Sequence, residues 1–101
     1  MQLILQFDVD ADIIDVPKKV IEDRDLMRKK FLRWIYNRRN KHIYWIAIPG
    51  PSGNKNMGVC FRGDAFVEWL NLNVLSEYDE KAIVLESHIS DPPANIPVLF
   101  F

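Results

Sequence analysis

Carboxylates are the side chains of this sequence with the clearest potential for chemistry, because Asp8, Asp10, Asp12 and Asp15 follow a short apolar run. Alternating carboxylates can converge on a hard cation, since Mg²⁺ and Ca²⁺ prefer oxygen ligands. An EF-hand loop starting at Asp8 is excluded, because the glycine and the final glutamate of that loop are missing. Two interpretations stay open: a metal-dependent hydrolase that uses Asp8, Asp10 and Asp12, and an acidic turn after which Asp15 caps a helix. We favour the turn and expect no metal, no cofactor and no catalytic residue.

The run Leu3–Asp12 resembles the hydrophobic strand and DxD start of the haloacid dehalogenase phosphatases. The resemblance implies that Asp8 is a nucleophile and Asp10 a general acid. It covers about ten residues, and Asp12 stands where that family usually has threonine or valine. A strand that ends in Asp8 also resembles the start of CRISPR-associated nucleases of the split βαβ plan.

The other residues capable of chemistry are His42, His88 and Cys60. Structural zinc needs four cysteine or histidine ligands, so we expect no zinc site. Cys60 with a histidine would form a nucleophile–base pair, but the sequence indicates no third residue to orient it. We interpret Cys60 as a buried thiol. A single cysteine excludes an internal disulfide and indicates a reducing, cytoplasmic location.

Length and composition predict one folded domain over residues 1–101. Of its 101 residues, 49% are hydrophobic and 12% are aromatic, which excludes a disordered chain. No signal peptide is expected, because the first apolar run is short and aspartates follow it at once. No run reaches the roughly 20 apolar residues that span a bilayer, so we expect no membrane partner.

Charge is strongly separated along the chain. Ten of the thirteen basic residues lie between Lys18 and Lys41, with three of the fourteen acidic ones, so this basic segment has a formal charge of +7. The rest of the chain has a formal charge of −8, and the net charge is −1. Because a protein's field depends on how charge is distributed, the basic segment predicts where an anionic partner binds.

Hydrophobic periodicity predicts two helices among several strands. We expect one helix over about 17–38, although the acidic cluster 22–25 offers an alternative break, and a second helix over about 65–75 that Asp64 caps. The expected strands are Leu3–Val9, His42–Ile48 as a central strand, Met57–Arg62 as its hairpin partner, Lys81–Glu86, and the apolar tail Ile96–Phe101 as a further edge.

This order predicts an α+β fold. We expect a single domain with an antiparallel sheet and two helices on one face, in the order β-α-β-β-α-β with a tail strand. The order is that of the ferredoxin-like split βαβ plan, although other α+β meanders also fit.

Two helix surfaces are candidates for binding. On a helical wheel Lys29, Lys30 and Arg33 fall on the outer face of the first helix, and Arg39 continues this charge beyond the helix end. Asp25 is placed to pair with Lys29 at i,i+4. On the second helix, Trp69 and Leu72 point away from its apolar inner face. They are either covered by the tail or form an exposed patch of the kind that marks interfaces.

We therefore predict a small intracellular protein-binding module without catalysis, of the immunity-inhibitor or regulator type. Its partner is another protein, which the basic face predicts to be acidic, or a second copy in a homodimer. Nucleic acid bound through the basic residues 28–41 is the alternative. The pI of 6.1 favours the protein partner, because nucleic-acid-binding domains usually have a pI above 9.

Overall fold

Six strands and three helices form the computed structural model, which describes residues 1–51, 53 and 55–101. In chain order the elements are β1 (Gln2–Gln6), β2 (Ala11–Asp15), α1 (Lys18–Glu22), α2 (Arg24–Ile35), β3 (Trp45–Pro49), β4 (Lys55–Val59), α3 (Gly63–Asn73), β5 (Ile83–Ile89) and β6 (Val98–Phe100).

Four of the strands form a mixed sheet in the order β5-β2-β1-β6. β1 and β2 are an antiparallel hairpin with Leu3 opposite Ile14, and β6 runs parallel to β1 with Leu99 opposite Leu5. Since side chains alternate between the faces of a strand, Leu3 and Leu5 enter the core that the helices cover, whereas Ile4 faces the other side.

β2 occupies residues for which the sequence predicts an acidic turn and a helix cap, so that prediction is wrong. The turn is shorter than expected, because the Phe7 N–H donates to the Asp10 carbonyl at 2.9 Å and reverses the chain there. Asp15 ends β2 opposite Gln2, and its carboxylate accepts no capping hydrogen bond from α1. Burial of the apolar side chains of 11–14 outweighs the turn preference of their aspartate neighbours.

The predicted first helix is broken into α1 and α2 at Asp23. The φ of −108° and ψ of 21° at Asp23 lie outside the helical region, and the Arg24 guanidinium donates to the Ile21 carbonyl at 2.7 Å. The continuous helix that the periodicity favours is therefore wrong, and the break within 22–25 is what forms. α2 also ends earlier than predicted, at Ile35.

Phe31 of α2 is the centre of the main core. It is fully buried and meets Phe66 and Trp69 of α3 with ring centroids 5.3 and 6.0 Å apart, and Phe101 at 5.8 Å. Edge-on arrangements of this kind are favoured by the charge distribution of aromatic rings. Phe31 thus joins α2, α3 and the end of the tail.

The opposite face of the sheet is also apolar. Ile4, Ala11 and Ile13 are buried there and pack against Ile89 and Ile96. The segment that follows β5 therefore contributes to this second, smaller cluster, and the sheet is buried on both sides near its middle.

β3 and β4 form a separate two-stranded sheet, which we call the hairpin arm (residues 45–59). The predicted hairpin is confirmed, with Trp45 opposite Val59 and Ala47 opposite Met57. The prediction of a central strand is wrong, because within the described part of the chain β3 pairs with β4 alone, and its residues Ile46–Pro49 are exposed.

The chain is a single α+β domain with a mixed sheet and three helices, and the ferredoxin-like order is not confirmed. The fully antiparallel sheet of the prediction is replaced by one that contains the parallel pair β1–β6. In the part of the chain that is described, no helix combines the length and apolar character that a bilayer-crossing helix requires.

The central position of Phe31 gives a test of the core. Phe31→Ala should lower the free energy of unfolding by about 3–5 kcal/mol, since a large aromatic side chain is lost from a filled interior. Leu26→Ala on the exposed side of α2 is the matched control and should change stability by less than about 1 kcal/mol. Urea denaturation measures both, and equal losses would contradict this packing.

Candidate functional site

The aspartates Asp10 and Asp12 are both ion-paired to Arg62, just before α3. The two guanidinium nitrogens of Arg62 lie 2.5 Å from Asp10 Oδ1 and 2.5 Å from Asp12 Oδ1. Asp12 is only 1% exposed, and it also accepts hydrogen bonds from the backbone N–H groups of Gly63 at 2.8 Å and His88 at 3.1 Å. These contacts, which we call the Asp12–Arg62 cluster, connect β2 with α3 and β5.

Asp12 serves as the acceptor at the beginning of α3, a role that the sequence predicts for Asp64. The Asp64 carboxylate accepts only from the neighbouring Ala65 N–H, at 2.9 Å, so the predicted cap is wrong. A carboxylate at a helix N-terminus is favoured by the helix dipole. Gly63 allows the close approach, because a Cβ there would lie 2.8 Å from Asp12 Oδ2.

Charge within the cluster is balanced locally. The hydrogen bond from Arg62 lowers the pKa of Asp10, and this effect outweighs burial, which acts to raise it. The hydrogen bond from His88 also lowers this pKa. Burial acts to lower the pKa of Arg62, but hydrogen bonds to Asp12 and Asp10 outweigh it, so this pKa is raised. Arg62 also lies over the ring of Phe7, with its guanidinium carbon 4.8 Å from the ring centroid.

The Asp8, Asp10 and Asp12 trio is not arranged as a cation site. Arg62 already neutralises two of these carboxylates, while Asp8 lies exposed in the turn before β2. Within residues 1–51, 53 and 55–101, no group of three His, Cys, Asp or Glu side chains is placed to hold a metal. A divalent cation would have to displace the guanidinium group.

The histidines and the cysteine have different environments in the structure. His42 uses both ring nitrogens internally, since Nε2 donates to the Ile35 carbonyl at 2.8 Å and Nδ1 accepts from the Tyr44 N–H at 3.2 Å. His88 Nδ1 donates to Asp10 Oδ2 at 3.1 Å. Cys60 is exposed, so the interpretation of a buried thiol is wrong.

The predicted basic residues Lys29, Lys30, Arg33 and Arg39 are all exposed. Among the described ion pairs, the basic segment contributes only Lys18–Glu22, at 3.6 Å, and the expected pairing of Asp25 with Lys29 is not formed. The outer face of α2 is therefore less neutralised by its neighbours than the sequence predicts.

The predicted apolar patch on the second helix is divided by the structure. Trp69 is 5% exposed and stacks on Phe66 in the core, so it is not part of an exposed patch. Leu72 is exposed on α3, which is the second of the two alternatives, and Phe101 packs against the core beside Phe66. Leu72 alone remains a candidate contact on this helix.

The hairpin arm carries an apolar surface that the sequence prediction assigned to the interior. Ile46, Ile48 and Met57 are 43%, 45% and 53% exposed. Ile48 lies across Gly58 on the neighbouring strand, where an added Cβ would come within 2.2 Å of its side chain. The apolar character of both faces of 43–48 was the available signal, but it fits a central strand equally well.

Three neighbouring rings attach the arm to α2. Trp34 of α2 packs on His42 with centroids 4.9 Å apart, and His42 stacks on Trp45 at 5.3 Å with planes 4° apart. Trp45 Nε1 donates to the Asn40 carbonyl at 2.7 Å. Tyr44 is buried, and its hydroxyl donates to the Glu68 carboxylate of α3. Burial is the main cause that raises the pKa of Tyr44.

A concave site lies where the arm meets the end of α2. Its volume is about 470 Å³, which is in the range of small-molecule sites. We call it the basic pocket; its lining residues are Arg38, Asn40, Lys41, His42, Trp45, Asn56 and Met57. The charge of this segment is evident from the sequence, whereas its position between the loop after α2 and the hairpin arm depends on the tertiary structure.

The Asp12–Arg62 cluster predicts a large effect of one carboxylate. Asp12→Ala should lower the free energy of unfolding by roughly 3 kcal/mol, because it leaves Arg62 and the N–H of Gly63 without their acceptor. Asp8→Ala removes an exposed carboxylate from the same turn and should cost less than about 0.5 kcal/mol. Thermal and urea unfolding measure both, and comparable losses would contradict the role of Asp12.

The lowered pKa of Asp10 predicts a dependence on pH. A carboxyl group whose folded pKa is depressed stabilises the protein above its unfolded pKa, near 3.8, and this stabilisation is lost as the pH falls through the folded pKa. Asp10→Asn should therefore be less stable than the wild type at pH 7, and the difference should shrink towards about pH 3. A difference that does not change with pH would disprove the ionic contribution.

Comparison with known proteins gives no relative: no family model, no curated protein and no solved structure matches the chain. The resemblance of Leu3–Asp12 to the haloacid dehalogenase phosphatases thus rests on that segment alone. In the structure Asp8 and Asp10 belong to a hairpin turn between two antiparallel strands. The functional interpretation must therefore come from the surfaces of the molecule itself.

Proposed function

We propose that the chain is a small non-catalytic protein-binding module, of the immunity-inhibitor or regulator type, that docks on an acidic protein. Its contact elements are the hairpin arm and the basic outer face of α2. The observation that carries this proposal is the exposure of Ile46, Ile48 and Met57 on a ribbon that pairs with no other strand of the described chain.

The energetics of the arm support a docking role. An isolated two-stranded hairpin is only marginally stable in water, and it normally needs a third strand or a packed face. The arm is held at its base by the ring stack on His42, while its outer aliphatic side chains stay in solvent. Ile46 and Ile48 share one face of the ribbon, whereas Met57 lies on the other face opposite Ala47. Exposed apolar side chains that lie together, as Ile46 and Ile48 do, mark interaction sites. Burial of these side chains under a partner would stabilise the complex.

The charge of α2 supports an acidic partner. Lys29, Lys30 and Arg33 lie exposed on the helix that leads into the arm, without ion pairs among the described residues. Complementary charge at an interface raises the association rate and selects the partner, whereas buried apolar anchors supply most of the affinity. The arm would therefore anchor the complex, and α2 would steer it.

The positions of the chemically capable groups are consistent with this proposal. Asp10 and Asp12 are held by Arg62, and both nitrogens of His42 take part in internal hydrogen bonds. A cytoplasmic location and the possibility that the partner is a second copy stay part of the proposal.

Affinity capture from the native host, followed by mass spectrometry, tests the proposal. The wild type should retain one acidic protein that the double variant Ile46→Glu, Ile48→Glu loses, because glutamates oppose both the burial and the acidic partner. Binding of the purified partner should weaken at least ~30-fold in this variant. The charge variant Lys30→Glu, Arg33→Glu should mainly slow association and reduce its salt dependence.

Val9→Glu, in the exposed turn between β1 and β2 and outside both contact elements, is the control and should bind as the wild type does. A captured protein that the arm variant still binds with unchanged affinity would overturn the proposal. Light scattering of the purified wild type identifies a second copy as the partner if the dimer dissociates in the arm variant.

A further inference from the structure

We infer that the basic pocket binds a nucleoside phosphate, with the base stacked against the His42–Trp45 wall and the phosphate between Arg38 and Lys41. This inference does not depend on the proposed docking of the arm. It rests on the shape of the pocket, on its two cations and on its preorganised aromatic wall.

The aromatic wall is fixed before any ligand arrives. His42 and Trp45 are parallel to within 4°, and each has its polar nitrogen atoms bound to the backbone. Because the two rings are stacked on each other and His42 also packs against Trp34, the ring face left for a base is the outer face of Trp45, and neither ring has a free donor. Stacking of a base on an aromatic side chain contributes about 1–3 kcal/mol and tolerates every base.

The cations of the pocket are available to a ligand. Arg38 and Lys41 are exposed, and neither forms an ion pair or a side-chain hydrogen bond in the part of the chain that the structure describes. They flank the loop that also brings Asn40 to the pocket, as Asn56 of β4 does from the other side. The two cations suit a phosphate, and the two amides beside the Trp45 ring suit the hydrogen-bonding edge of a base.

The size of the pocket suits a single nucleotide. A cavity of about 470 Å³ has the size of a small-molecule site and is concave. A base inside a duplex cannot enter such a site without leaving its stack. The two sources that remain are a free nucleotide and an unpaired nucleotide of a single strand, and both present the same chemistry.

Adenosine monophosphate and an eight-nucleotide single-stranded RNA are the probes, and inorganic phosphate is the comparison. At low salt the wild type should bind at least one nucleotide probe more tightly than phosphate alone, since phosphate cannot stack. Isothermal titration calorimetry gives the affinity. Equal affinity for the monophosphate and the strand identifies a free nucleotide as sufficient, whereas much tighter binding of the strand identifies a strand as the source.

Variants of matched type locate the site. Lys41→Ala and Arg38→Ala should each weaken binding by ~10-fold. Lys18→Ala removes an exposed lysine of the same basic segment outside the pocket and should change affinity less than ~2-fold. Trp45→Phe should abolish most of the fluorescence change on binding while the thermal midpoint stays within a few degrees, and circular dichroism checks that the fold is kept.

Three results would overturn the inference. The first is that neither nucleotide probe binds more tightly than inorganic phosphate. The second is that Lys18→Ala weakens binding as much as Lys41→Ala, since binding would then follow total charge. The third is that Trp45→Phe leaves the fluorescence change intact, which would place the ligand elsewhere. None of these results bears on capture of a protein by the arm.

Discussion

The fold depends on one buried carboxylate. Asp12 is almost inaccessible to solvent, and its oxygens accept from Arg62, from the first N–H of α3 and from the N–H of His88 in β5. Removing a charge from water is costly unless its hydrogen-bond sites are filled, and here groups from several elements fill them. The pairing of β2 with β5 shifts register between Ala11 and Ile13, so β5 carries an extra residue beside Asp12. His88 has a φ of 59° at this bulge, which turns its N–H towards the carboxylate.

The hairpin arm depends on a different kind of contact. Within the described residues its strands pair with each other alone, so its orientation is set at its base, where Trp34 packs at a tilt on His42 and His42 stacks on Trp45. Tyr44, which precedes Trp45, is buried in the main core, and its hydroxyl donates to Glu68 of α3. This contact fixes the start of the arm against α3 as well. The loop after α2 is thereby held against the arm, and the basic pocket is a consequence of that arrangement. The same ring stack that supports the arm also forms one wall of the pocket.

The α+β class, a hairpin formed by strands 42–48 and 57–62, and the helix near 65–75 are predictable from the sequence, because hydrophobic period and turn residues are local signals. The position of β2 is not predictable in this way, because an aspartate such as Asp12 is typical of a turn. Its partners Arg62 and Gly63 lie about fifty positions away in the sequence. The segment 42–48 is predicted as a central strand, because a strand that is apolar on both faces has the same sequence pattern whether or not neighbouring strands cover it. For the candidate site, the position of the positive charge was predictable. The burial of Trp69 and the concavity of the pocket depend on tertiary packing that no short window contains.

The separation of charge along the chain has two different structural consequences. Of the three basic residues outside the basic segment, Arg62 is used inside the fold to hold two acids, so it adds little to the external field. The basic segment itself is divided between an open helix face and a concave loop. Charges on the helix face are screened over about 8 Å at physiological ionic strength, so they act on the approach of a partner. Arg38 and Lys41 stand beside low-dielectric aromatic walls, where field lines are focused and a direct contact is worth more. A formal charge of +7 is therefore not one site: part of it lies on an open helix face and part beside a concave loop, and the two proposals assign the acidic protein and the nucleotide to different parts of it.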